Sequence, residues 1–169
     1  MLDETQLLTE GVLSVARLMA IAAKTAPKAR GIDNIVVKVL DRREELELIA
    51  KKMDELADEY GDFFRRDAQN VRNSVAVVLI GCRKVSLGLK TPRKWLLDAD
   101  TVCSLVNLGI ALGSAVKIAS NMNVDNRIMF SVGVAAQELG LIDCDYVLGI
   151  PLSTTAKNPY FDRVWPPKK

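Results

Sequence analysis

The residues with the most chemistry to offer lie in one stretch, Ala22 to Asn34, "AAKTAPKARGIDN". Three cations, Lys24, Lys28 and Arg30, surround one proline and one glycine, and Asp33 and Asn34 follow. Such a loop can hold a phosphate. Lysine and arginine supply charge, a guanidinium pairs bidentately with phosphate oxygens, and Gly31 lets backbone amides turn toward a ligand. The competing account is simpler. Cations favour the negative end of a preceding helix, and Pro27 and Gly31 are then helix punctuation. Spacing alone favours the second account.

Little else in the chain is reactive. It has 169 residues and no histidine, which excludes imidazole-based nucleophile systems and histidine metal ligands. The three cysteines, Cys82, Cys103 and Cys144, are far apart, with no CxxC spacing for a zinc knuckle or a disulfide framework. Cys82 in "GCRK" follows a strand beside cations, a setting that would lower a thiol pKa, although a buried free thiol explains it as well. Asp143 and Asp145 flank Cys144 as a metal pair or as one solvated strand face. Asp125, Asn126 and Arg127 read as a helix cap. Lys90, Arg93 and Lys94 around Trp95 would touch an anionic partner or form a mobile basic loop.

Composition narrows the classes. Hydrophobic residues make up 49%, which suits one domain spanning 1–169 with a substantial core. Net charge is +2 and aromatics are 5%, so neither a nucleic acid nor a membrane surface is expected as partner. The N-terminus "MLDETQ" lacks a secretory h-region, and no apolar run reaches the roughly 18 residues of a span, so a cytoplasmic location is expected.

These residues are positioned by a helix over Thr5 to Ala26, a strand over Ile35 to Leu40, and a helix from an Asp41 cap (with Glu44) to about Tyr60. "DFFRRDAQNVRN" reads as a short helix, and the apolar strand Ser74 to Gly81 is central. A long helix then runs from Asp100 or Thr101 to about Asn121. Gly109 and Gly113 within it mark a close helix contact, in the core or across a dimer seam. A helix over Arg127 to Leu139 ends at Gly140. "CDYVLGI" is a third strand, stopped by Pro151. Residues 151–169 form an extended tail whose Tyr160, Phe161 and Trp165 favour docking. The sum is an α/β mixture in two or three layers, with a sheet small enough to invite completion by a partner.

Four strings carry a resemblance: "AAKTAPKARGIDNIVVKVLD", "FFRRDAQNVRNSVAVVLIG", "NLGIALGSAVKIASNMNVDNRIMFSVGVAAQELGLID" and "VLGIPLSTTAKNPYFDR". They resemble an uncharacterised prokaryotic family of ferredoxin-domain-containing proteins. That family name implies a cysteine-rich iron–sulfur insert between the second strand and the small-residue helix. Here the segment reads "RKVSLGLKTPRKWLLDADTVCSLV", with one cysteine, so no iron–sulfur cluster is expected. A second resemblance is one of pattern. A helix ending in Ala-Pro, a hydrophobic strand and "DRREELELIAKKM" look like the opening of flavin-dependent nitroreductases, where the segment after Ala-Pro lies against FMN. Lys28 and Arg30 stand where those enzymes usually carry Ser and Asn.

The nitroreductase resemblance implies an α+β fold, a small central sheet flanked by helices, with sheet and core completed by dimerisation. It also implies a homodimer with exchanged terminal segments and FMN, or another small phosphate-bearing ligand, at the subunit interface. On that reading the cofactor-binding candidates are Lys28, Arg30, Gly31 and Asn34, with Lys157 and Arg163 of the tail completing the charge. The implied function is flavin-dependent reduction or electron transfer. The alternative is a non-catalytic dimeric module that has lost the family's cluster.

Overall fold

A computed structural model describes residue 1 and residues 3–161. Its elements are α1 (Glu4–Thr25), a short 3-10 turn (Ala29–Gly31), β1 (Ile35–Leu40), α2 (Arg43–Tyr60), α3 (Phe63–Arg72), β2 (Ala76–Cys82), α4 (Ala99–Asn121), β3 (Asp125–Asn126), α5 (Phe130–Glu138) and β4 (Tyr146–Ser153). The four strands form one antiparallel sheet in the order β1-β2-β4-β3.

The sheet is the middle of three layers. Val78, Ile80 and Cys82 of β2 face α1 and α4, where Ala16, Met19, Ala111 and Ala115 close the first core. Val77 and Leu79 face α2, α3 and α5, packing with Ile49, Met53, Phe64 and Val132. Every residue of β2 is buried, because both of its faces are covered. This is why its sequence is apolar throughout rather than alternating.

Local signals set the helix ends. Asp3 caps α1, its carboxylate accepting from the Gln6 N–H at 2.8 Å while Gln6 reaches back. Asp98 caps α4 and accepts from Thr101 N–H at 2.9 Å. Lys84, hydrogen-bonded to Asp98, together with the Thr101 cap bonds, holds the Asp98 carboxyl well below the usual carboxylate range. The expected Asp41–Glu44 cap of α2 is displaced by one residue. Arg42 is the cap position, and Glu45 accepts from the N–H groups of both Asp41 and Arg42. Glu44 lacks that role because the chain enters the helix one residue later. Gly140, in a left-handed conformation with φ 63°, terminates the α5 region as expected.

Three further features differ from the sequence reading. β3 is only two residues long, too short for a periodic pattern. Pro151 does not stop β4. Gly149 N–H donates to Met129 O, so the Pro151 nitrogen, two residues on, faces the same side. Pairing to β3 resumes only at Leu152, and the missing N–H falls in that gap. Finally, α1 and α4 do reach the length and apolarity of membrane spans, with mean hydropathies of 1.3 and 1.7, because isolated polar residues interrupt their apolar runs without lowering the mean far. Both helices bury one face in the first core.

The glycines divide by position. Gly109 and Gly113 sit on the exposed side of α4 with nothing within 4 Å of a built Cβ, so within one chain they make no close contact. Close approach occurs between α5 and β4 instead. A Cβ on Gly133 would lie 1.9 Å from the Val147 carbonyl oxygen. Gly133→Ala should therefore lower unfolding stability by about 2 kcal/mol or more in urea denaturation. Equal stability of Gly133→Ala and the wild type would contradict this packing.

Candidate functional site

The "TAPKARGID" loop joins α1 to β1, and most of its cations are already engaged. The Lys28 ammonium folds back onto the end of α1. It donates to Ala26 O at 2.7 Å, Ala23 O at 3.2 Å and Lys24 O. These are the carbonyls that a helix C-terminus leaves without partners. Desolvation lowers the Lys28 pKa, partly countered by Asp33. Lys24 bridges to Asp33 at 2.5 Å and donates to Ile35 O at 2.7 Å. The Lys24 hydrogen bond in turn holds the Asp33 carboxyl below its ordinary value. Asp33 also accepts from the Ile35 N–H, which ties the loop to the first residue of β1.

Asn34 is buried and holds the loop from inside. Its side-chain amide donates to Arg83 O at 2.8 Å and accepts from Asn107 Nδ2 at 3.0 Å. Asn107 Oδ1 accepts from the Ala29 N–H at 2.8 Å. This chain of bonds joins the loop to α4 and to the end of β2. Asn107 was not singled out from the sequence. The available signal was an amide in the middle of the uncharged stretch from Thr101 to Val116, whose burial requires a partner.

Arg30 is different. It is exposed, with φ 55°, and Gly31 follows with φ 67°. Its guanidinium donates one N–H to Leu87 O, leaving other donors to spare. Gly31 N–H is engaged with Lys28 O at 2.9 Å. The structure thus brings Lys28, Arg30, Gly31 and Asn34 together. It does not bring Lys157 to them. Lys157 follows β4, beyond the Leu152–Ala76 end of the sheet, whereas the loop adjoins the Ile35–Cys82 end. Arg163 and Trp165 lie outside the described residues.

The cysteine and acidic candidates are accounted for by contacts within the chain. Burial pushes the Cys82 thiol up to about 11, the opposite of the activated thiol its flanking cations implied. The cations were misleading because Cys82 points into the first core. Asp143 pairs with Arg83 at 3.0 Å, and Asp145 accepts from the Lys84 N–H at 2.6 Å. Among the described residues no group of three His, Cys, Asp or Glu is placed to hold a metal. Asp125 and Asn126 form β3 rather than a helix cap. Asp125 accepts from Asn158, while Arg127 donates to Tyr160 O and stacks on Phe161. These contacts clamp the segment after β4 onto its own chain. Tyr160 is buried in the second core, 2.8 Å from Ser74 Oγ.

Two grooves adjoin the sheet edges. One, of about 440 Å³, lies beside the loop between α1 and the free edge of β1, lined by Ala20, Ile21, Lys24, Ile35, Val36 and Val37. The other, of about 200 Å³, lies between α4, α5 and β4.

The three-layer arrangement is that of the nitroreductase fold. A hypothetical oxidoreductase from Bacillus subtilis matches with a TM-score of 0.59 at 14% identity, over 86% of this chain and 58% of its own. A nitroreductase family protein from Clostridium novyi matches at 0.58 and 16% identity, over 90% and 75%. NADPH:FMN oxidoreductase from Vibrio harveyi matches at 0.56 and 14% identity, over 93% and 64%. The chain spans about three-fifths of the Bacillus and Vibrio proteins. An uncharacterized protein of Archaeoglobus fulgidus is 42% identical over the full length of both chains. Residues 98–163 match the family described as uncharacterized protein containing a ferredoxin domain (DUF2148). The chain belongs to this family, on a nitroreductase-type fold.

Two outcomes follow from the site's geometry. Asn34→Ala leaves Asn107 Nδ2 and Arg83 O without their buried partner and should cost about 1–3 kcal/mol in chemical denaturation; an unchanged midpoint would contradict the network. Native protein at pH 8 should leave Cys82 unlabelled by a thiol-specific reagent and label it once unfolded. Because the folded pKa is raised, the linked stability is intact below the unfolded thiol pKa and is lost as pH rises toward 11. Rapid labelling of Cys82 in the folded protein would contradict its burial.

Proposed function

We propose that two copies of this chain form a nitroreductase-like homodimer that binds FMN and serves in reduction or electron transfer. The observation that carries the reading is the nitroreductase-type fold with a cationic, solvent-open loop at the end of α1. Support for a second copy comes from the distribution of charge. No charged residue occurs from Gly11 to Ala16 or from Thr101 to Val116. The outer sides of α1 and α4 expose Leu7, Leu18, Ile21, Val106 and Ile110, while Gly109 and Gly113 leave room for close helix approach. The opposite layer is solvated by ion pairs such as Arg72 with Glu47 and Asp54, and Arg65 with Asp58 and Asp62. An apolar face beside a charged one is the pattern of a subunit contact.

The loop fits a flavin phosphate through Arg30, the candidate with donors to spare. Lys24 and Lys28 add positive field while holding the loop, and Asn34 fixes its position through Asn107. Lys157 reaches such a site only from the second copy, and Arg163 belongs to the same following segment. When bound, FMN supplies the hydride chemistry, which is compatible with a chain that lacks histidine. The engagement of Lys24 and Lys28 within the chain favours a second reading, a non-catalytic dimeric module.

Titration with FMN, followed by quenching of flavin fluorescence, separates the two. Wild-type protein should bind, and Arg30→Ala should weaken binding about tenfold or more. Equal affinity would remove Arg30 from the site, and no binding by the wild type would favour the module. Ile21→Glu should shift the mass in light scattering from dimer to monomer; an unchanged mass would rule out the α1 face as the seam.

A further inference from the structure

One surface takes no part in this account. Residues 88–98, between β2 and α4, are exposed without interruption. Leu89, Trp95 and Leu97 are about half exposed and Leu96 fully so. Lys90, Arg93 and Lys94 stand among them, and none has an ion pair among the described residues. No acidic residue occurs from Arg83 to Leu97.

The apolar tip is not a loose end. Leu87 is buried, and its N–H donates to Asp100 at 2.9 Å. Thr91 Oγ1 accepts from the Ala99 N–H at 3.0 Å, and Lys84 pairs with Asp98 at 2.9 Å. The loop base touches the proposed flavin loop directly, since Arg30 donates to Leu87 O. The fold thus holds a small apolar patch, rimmed by three uncompensated cations, beside the site.

We infer that this loop docks a small acidic iron–sulfur electron carrier. The inference rests on the proposed redox reading, which requires an electron source. Complementarity of charge selects the partner: three unpaired cations around an apolar centre match an acidic rim around an apolar contact. The family is described as containing a ferredoxin domain, and its match begins at residue 98, where the loop ends. This chain has three cysteines in total, one short of the four thiolates that usually hold a cluster. A carrier supplied in trans takes the place of one built into the chain. The patch is small, as in transient electron-transfer encounters.

The test is calorimetric binding of a purified small acidic ferredoxin to the full chain, with and without FMN. Wild-type protein should bind in the micromolar range at 50 mM salt and about tenfold or more weakly at 300 mM. The variant K90A/R93A/K94A should lose a similar factor at low salt, and W95A/L96A should also bind more weakly, each with an unchanged number of subunits by light scattering. Three results would overturn the inference: no binding by the wild type, equal binding by the charge-removed variant, or loss of the dimer in W95A/L96A, which would make the loop a contact between copies. Sedimentation with phosphatidylcholine vesicles containing half phosphatidylglycerol, in place of ferredoxin binding, would assign the loop to a membrane and likewise overturn it. Ferredoxin binding by protein that takes up no FMN would sustain the docking surface while sinking the flavin site.

Discussion

Burial of β2 on both faces is the constraint on which the rest depends. Seven consecutive residues without solvent require a helical layer on each side and a paired strand on each edge. β1 and β4 supply the edges. α1 and α4 supply one layer, and α2, α3 and α5 the other. Small residues decide how closely the layers approach: Ala16, Ala111 and Ala115 on one side, Gly133 and Gly149 on the other. Once the sheet is sandwiched, the connection from α1 to β1 must emerge at its Ile35–Cys82 end, and the candidate site forms there.

The site inherits its shape from that geometry. Asn34 opens β1 from a buried position, and Asn107 of α4 is the buried group that meets it. Their bonds fix the loop, while Lys28 completes the end of α1 and Lys24 holds Asp33. The helix-terminus account of the cations therefore holds for Lys28 and does not extend to Arg30. Lys28 serves the helix, and Arg30 remains turned outward. The docking loop is fixed to the same framework through Leu87, so both exposed cationic elements lie at one end of the sheet.

Much of the architecture was legible in the residues. Helical spacing located α1, α2 and α4 to within a few residues, and the apolar run of β2 identified the central strand. The nitroreductase pattern and the ferredoxin-domain family were both readable from quoted strings. What escaped depended on neighbours distant in sequence. A two-residue β3 has no period to detect. Pro151 continues a strand because its nitrogen faces a gap. Cys82 looked activated beside Arg83 and Lys84, although strand alternation turns it into the core. The carbonyls that Lys28 caps lie two to five residues back, and a side-chain rotamer decides that contact. Tyr160 was expected to dock, but its place against Ser74 follows only from the folded chain.

The central claim is that this fold retains a flavin at its cationic loop. The most direct measurement is the visible absorption of gel-filtered protein after incubation with excess FMN. The account predicts retained flavin bands at about one FMN per subunit. Gel-filtered protein that emerges colourless would contradict it.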